Sequence, residues 1–127
     1  MPEDEGMEIR WSEVTIDCAD PVAMAVFWQG LLGGEVGEPL PGWRRVRVPG
    51  RPALTLQPVP EPKTVKARLH LDLVVDDLEA AIAHVASLGG RSTGERHRYD
   101  EGTVVVMADV EGTEFCMVQY APGYEET

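Results

Sequence analysis

One pattern occurs twice in this chain, and that duplication limits the folds open to it. An alternating stretch at 9–18 (IRWSEVTIDC) leads into Asp20-Pro21, an uncharged apolar run and Leu32-Gly33-Gly34. A second alternating stretch, Arg68–Val75, leads into Asp76-Asp77, another apolar run and Leu88-Gly89-Gly90. Asp77 follows Asp20 by 57 residues and the second Leu-Gly-Gly follows the first by 56, so one residue is lost inside the second helix. Alternation predicts a strand. An Asp cap, with Pro in the first turn of the first copy, predicts a helix start, and Gly-Gly a helix stop. Strands are then expected at Trp43–Val48 and Ala53–Val59 in the first copy, and at Thr103–Ala108 and Glu114–Tyr120 in the second. The last two are joined by a turn at Asp109-Val110-Glu111-Gly112. Weaker strand signals fall near 34–38 and 91–97.

Neither half is long enough to bury a sheet face alone, so the two must pack together. The expected class is α+β, as one domain over 1–127 built from two βαβββ modules. Module one spans about 9–59 and module two about 67–120. A linker at about 58–66 holds three prolines, and acidic tails occupy 1–8 and 121–127. The first helix, about 21–32, carries no charge and is expected to be covered on more than one side. The second shows a single apolar stripe of Leu78, Ile82, Val85 and Leu88.

Charge narrows the partners. The formal net charge is −11, from 22 acidic and 11 basic residues. Six of the acids lie in the tails, leaving a body near −5. Such a balance disfavours nucleic acid and anionic membrane surfaces, both of which reward positive charge. No apolar run is long enough to span a bilayer and no charged-then-apolar leader opens the sequence, so no membrane span or signal peptide is expected. Cys18 and Cys116, the only cysteines, form no disulfide or zinc-finger spacing and read as buried free thiols of a cytoplasmic protein.

Several polar residues fall where chemistry is plausible. His70 shares a strand face with Asp72, about 7 Å along the strand, where a carboxylate can orient an imidazole. Asp72 can equally pair with Arg68. Glu13, Thr15 and Trp11 share a face of the first strand, which is either a polar wall or a solvent edge. Arg45 and Arg47 form either a solvated face or an anion-binding edge. Lys63, Lys66 and Glu114 read as solvated, and His97 as a loop residue. Nothing local to Cys116 marks it as a nucleophile. No phosphate-binding glycine loop, serine elbow or HExxH helix occurs.

Four stretches carry a family resemblance across nearly the whole chain. They are Ile16-Asp17-Cys18-Ala19-Asp20-Pro21 with Phe27-Trp28 and Leu31-Leu32-Gly33; Gln57 to Lys63; Leu69-His70-Leu71-Asp72-Leu73 with Val75-Asp76-Asp77-Leu78; and Asp109 with Glu111 to Cys116. With the doubled βαβββ order, they resemble the vicinal oxygen chelate superfamily, which includes glyoxalase I, bleomycin-resistance proteins and extradiol dioxygenases. The likeness is strongest to small actinobacterial glyoxalase-like proteins. It implies that the module sheets curl around a cleft for a small oxygenated molecule, often beside a divalent metal, and that the protein is a homodimer.

In such proteins metal ligands come from the first and last strands of each module. The first-strand position, seven residues before the capping acid, falls on Glu13 and His70. The last-strand position falls on Cys116 and, in module one, near Leu54 or its neighbours Ala53 and Thr55, where the family usually places a carboxylate. With two of four positions filled by ordinary donors, no metal or other cofactor is expected; if a divalent metal binds, the implied ligands are Glu13, His70 and Cys116. The implied cleft is lined by Glu13, Gln57, His70 and Asp72, with Thr15, Trp11 and Cys116 also contacting the small organic ligand. The implied activity is lyase or isomerase chemistry beside a carbonyl, with His70 or Glu13 as base. The alternatives are drug binding without chemistry and a metal-dependent lyase or dioxygenase.

Overall fold

The computed structural model describes residues 7–124. Module one runs β1 (Glu13–Cys18), α1 (Pro21–Leu32), β2 (Glu35–Gly37), β3 (Arg44–Arg47) and β4 (Ala53–Pro58). Module two repeats the order as β5 (Asp72–Val74), α2 (Leu78–Ser87), β6 (Arg91–Tyr99), β7 (Gly102–Ala108) and β8 (Glu114–Tyr120). The sheets share one topology, β1-β4-β3-β2 and β5-β8-β7-β6, with first and last strands parallel and the remaining pairs antiparallel. The class is α+β, as the duplication implies. The two sheets are separate rather than one continuous curled sheet: β1 and β5 are each an edge strand.

Both helices start as their sequences dictate. The Asp20 carboxylate accepts from the Ala23 N–H at 3.1 Å, and that of Asp77 from the Ala80 N–H at 3.1 Å. Gly33 and Gly89 follow the helices at φ of 76° and 97°, a conformation that L side chains resist. The second glycine of each pair is needed for closeness. A Cβ on Gly34 would lie 2.1 Å from the Arg47 carbonyl oxygen, and one on Gly90 2.7 Å from that of Ala108 and 2.8 Å from the Phe27 ring.

Trp28 joins the modules. Its ring packs edge-on against Phe27 and Phe115, at centroid distances of 5.3 and 5.0 Å. Its indole N–H donates to the buried Asp109 carboxylate at 3.1 Å. From the same β7–β8 turn, the Glu111 carboxylate accepts the backbone N–H groups of Ala19 and Asp20, at 2.8 and 2.7 Å, at the entry to α1. Module two therefore satisfies backbone donors of module one.

The helix α1 is covered by its own sheet and, through Phe27, Trp28 and Gly30, by module two, but one strip stays open, where Val22 and Val26 stand exposed one turn apart. Some expectations are corrected. The first strand begins at Glu13, not residue 9, because its partner β4 begins at Ala53, opposite Glu13. Likewise Arg68 and Leu69 fall before the start of β8, and the paired part of β5 is only Asp72–Val74, shorter than the alternation suggests. The Ala67 N–H finds the Glu114 carboxylate at 2.9 Å instead. The weak signal at 91–97 is the nine-residue β6, exposed throughout. An edge strand needs no apolar alternation, and its charges and bulge near Gly94 guard it against pairing with another chain. His97 therefore lies on a strand rather than in a loop.

Candidate functional site

Each module has a helix-covered face and an opposite face, polar in module one and mixed in module two, where Val104, Val118 and Tyr120 accompany Asp72. In module one, parallel pairing sets Thr15 opposite Thr55 and Asp17 opposite Gln57, and the antiparallel pair sets Arg45 opposite Thr55. Thr55 is fully buried. The Arg45 guanidinium donates to the Thr55 hydroxyl at 2.9 Å and to the Glu13 carboxylate at 3.0 Å, and the Thr55 hydroxyl also donates to Glu13. The Thr55 hydrogen bond, aided by the positive charge of Arg45 against the opposing effect of burial, holds Glu13 below its ordinary pKa. Arg45 is thus a structural cation, neither a solvated residue nor an open anion-binding edge. Gln57 is half-buried beside Asp17.

In module two, Asp72 pairs in register with Cys116, and His70 reaches the same place from just before β5. His70 Nε2 lies 3.3 Å from the Asp72 carboxylate, so Asp72 pairs with the imidazole. One donor atom from each of His70, Asp72 and Cys116 falls within a 4.8 Å cluster. Glu13 is outside that cluster; the set the chain assembles has Asp72 where the family pattern implied Glu13. Burial first, then the negative charges of Asp72 and Glu95, push the Cys116 thiol up. On β6, His97 lies 2.7 Å from Glu95, whose carboxyl is held low by that bond. Cys18 lies on the helix-covered side, where burial and the Glu111 and Asp109 carboxylates push its thiol up to about 12. Both cysteines are free and buried, as the sequence suggested.

Between the modules lies a cavity of about 640 Å³, lined mainly by apolar surface. Trp11, Thr15 and Asp17 line it from β1 and the preceding segment, Trp28 from α1, and Leu69 and His70 from the approach to β5. Trp11 is 78% exposed and Leu69 89%, so the mouth is an apolar rim facing outward. Lys63 and Glu114, read as solvated from sequence, form an ion pair at 3.1 Å in its wall. Burial raises the Glu114 carboxyl, but hydrogen bonds from Ala67 N–H and Lys63 outweigh it and the net direction is down. Of the residues anticipated for ligand binding or catalysis, Trp11, Thr15 and His70 meet here. Asp72 and Cys116 stand behind His70, and Glu13 and Gln57 lie on the polar face of module one. Lys63 and Thr55 were missed as members of these networks. Their nearest signal was the basic pattern around Arg45 and the proline-rich linker, neither of which names a partner.

The donor set permits a direct comparison with what a divalent ion needs. Tetrahedral coordination at zinc-like bond lengths separates ligand atoms by about 3.3–3.8 Å. The 3.3 Å His70–Asp72 separation and the 4.8 Å span of the cluster therefore need only a small contraction. His70, Asp72 and Cys116 fit as three protein ligands, with further positions open.

The fold agrees with comparisons to known proteins. The glyoxalase-like domain family model matches residues 13–118, and the chain belongs to that family. A glyoxalase/bleomycin resistance protein/dioxygenase family enzyme from Burkholderia phytofirmans has a similar structure: TM-score 0.69, 20% identity, covering 87% of this chain and 98% of that one. The fosfomycin resistance protein FosX from Listeria monocytogenes, complexed with Mn(II) and sulfate, is similar at TM-score 0.73 and 15% identity, covering 91% and 94%. No curated protein matches the chain in sequence. Among the described residues, no helix is long and apolar enough to cross a membrane.

Proposed function

We propose that this is a small-molecule-binding protein of the glyoxalase class that performs proton-transfer chemistry, as a lyase or isomerase, on a carbonyl compound with an apolar body. One observation carries this reading: the approximately 640 Å³ cavity is largely apolar but has His70, backed by Asp72 at 3.3 Å, in its wall. An apolar hollow with few polar groups is the usual form of a small-molecule site. Trp11, Leu69 and Trp28 supply the apolar contacts. Thr15 and Asp17 are the polar groups opposite His70.

His70 is the base for a proton on the carbon beside the carbonyl, and Asp72 holds its ring and stabilises the imidazolium that forms. Glu13, engaged by Arg45 and Thr55, supports the module-one wall. The residues that would hold a divalent ion are His70, Asp72 and Cys116. An ion held there would occupy the His70 nitrogen, so His70 would then serve as a ligand and not as the base, and the ion would supply a Lewis acid for a substrate oxygen.

The test is solvent deuterium exchange, followed by NMR, at the α-carbon of a panel of aryl and alkyl α-hydroxyketones. Exchange by the wild type that His70→Ala abolishes, with binding retained, is expected. Binding equal in both proteins without exchange in either would instead favour a drug-binding protein without chemistry, which the exposed apolar rim also suits. The sequestering and catalytic readings share a homodimer, for which the exposed Val22 and Val26 of α1 offer apolar surface, and a cytoplasmic location, in keeping with two free thiols.

A further inference from the structure

We propose that the open face of module two holds a second ligand site, a hollow that takes the ammonium group of a small organic cation. This hollow, about 510 Å³, shares no lining residue with the cavity that His70 faces. Val104 and Val118, half-buried cross-strand partners, form its floor. Tyr99 and Tyr120 flank it, and Asp72 and Glu101 bring carboxylates to its edge. Among the described residues, none of those lining it is basic. The strand register builds the pair of rings. Gly102 pairs with Tyr120 on one side and with Tyr99 on the other. Two strand spacings, about 10 Å, therefore separate the tyrosine backbones, with no side chain between them. Gly102 admits no substitute, since a Cβ there would lie 2.4 Å from the Gln119 carbonyl oxygen. Tyr99 is 60% exposed and its ring stacks on His97, which Glu95 holds at 2.7 Å. The basic residues Arg96 and Arg98 fall on the other face of β6, where Arg96 meets Glu79 of α2 at 3.1 Å.

The ligand class follows from these side chains. An ammonium is attracted to the electron-rich face of a tyrosine ring when it lies within about 6 Å of the centroid. Two rings on strands about 10 Å apart let one cation reach both. The Asp72 and Glu101 carboxylates add charge attraction, and the valine floor accepts an apolar body. An anion would meet like charge from both carboxylates, and the net charge of −11 disfavours it further. The volume is that of a hollow for a free small molecule. The site does not depend on the proton-transfer reading above. The two touch only through Asp72, which lines the hollow and pairs with His70 at 3.3 Å.

The probe is para-hydroxyphenyl-trimethylammonium, compared by calorimetry on the full chain with its uncharged isostere para-tert-butylphenol. The cation should bind at least about tenfold more tightly than the isostere, and added salt should weaken it. Tyr99→Leu and Tyr120→Leu should each weaken cation binding by about 2–30-fold, the range of one cation–ring contact. Tyr120→Phe keeps the ring and should stay within about twofold of wild type. Glu101→Gln should lose less than the leucine variants, roughly 1.5–5-fold. Circular dichroism checks that each variant is folded. Tyr99 and Glu101 are exposed, so their variants carry the test if Tyr120→Leu does not fold. Trp11→Ala, at the rim of the other cavity, should leave cation binding unchanged. Equal affinity for cation and isostere, undiminished binding in a folded Tyr99→Leu, loss of binding in Trp11→Ala, or capture of phosphatidylcholine vesicles with no binding of the free cation would each overturn the proposal. Cation binding without deuterium exchange on the ketones removes the proposed function and leaves this site standing. Exchange without cation binding does the reverse.

Discussion

The two modules share a scaffold and differ in what their polar faces hold. In module one the first-strand acid, Glu13, is closed off by Arg45 and the buried Thr55. In module two the equivalent His70 faces Asp72 and Cys116 and remains 46% exposed in its side chain. A duplicated fold thus leaves one copy free to become a strut while the other keeps open donors. The difference lies in side chains at corresponding register positions: Thr15 opposite Thr55 in one copy, Asp72 opposite Cys116 in the other.

The largest expected effect concerns what binds the copies together. Trp28→Ala removes a buried aromatic and the donor to Asp109, at a cost of roughly 3–5 kcal/mol. Urea denaturation should show one transition at lower midpoint. Two separated transitions would mean that the modules are independent units, and the comparison would become one between two domains.

A second pair of variants separates strut from site. His70→Ala should lower α-proton exchange by about 10²–10⁴-fold, while Glu13→Gln changes it by less than about tenfold. Equal losses would return Glu13 to the reacting centre. Stability should show the opposite ranking, since Glu13→Gln weakens a charged hydrogen-bonded pair at a cost of about 1 kcal/mol.

The Glu13 effect also depends on pH. Its carboxyl titrates below the ordinary 4.5 in the folded protein. Its stabilisation is therefore complete above that value and is lost as pH falls through the lower folded one. Thermal melts from neutral pH downward should show wild type and Glu13→Gln converging in acid. A constant gap across the range would detach Glu13 from the Arg45–Thr55 pair.

The smallest expected effect is on folding of the single chain. Val26→Glu, at an exposed helix position, should alter its stability by no more than about 0.5 kcal/mol. It should nevertheless shift sedimentation from dimer toward monomer. An unchanged dimer would move the contact elsewhere, with the apolar rim at Trp11 and Leu69 as the next surface to probe.

Much of the architecture was legible because it is encoded locally. The capping acids Asp20 and Asp77, the paired glycines and the order of elements all appear in the structure where the chain announces them. Strand ends were harder to read. The alternation of Ile9 to Ser12 and of Arg68 to Leu69 continues past the partner strands, and a ladder stops where its partner stops. The strand β6 was faint because an exposed edge needs no apolar face. At the site, the His70–Asp72 pair was read from sequence and His70 with Cys116 was implied by the resemblance, but the joining of all three was not.

The amino-acid order by itself determined the duplication, the helix boundaries and the apolar faces, because capping, turn conformation and hydrophobic periodicity act over a few residues. Tertiary structure decided that the sheets stay separate, that Lys63 meets Glu114, and that Asp72, in place of Glu13, joins His70 and Cys116. Those outcomes depend on strand register and on side chains distant in sequence competing for the same partners. Hydrogen bonds and charges reward proximity in space, and only the folded chain sets that proximity.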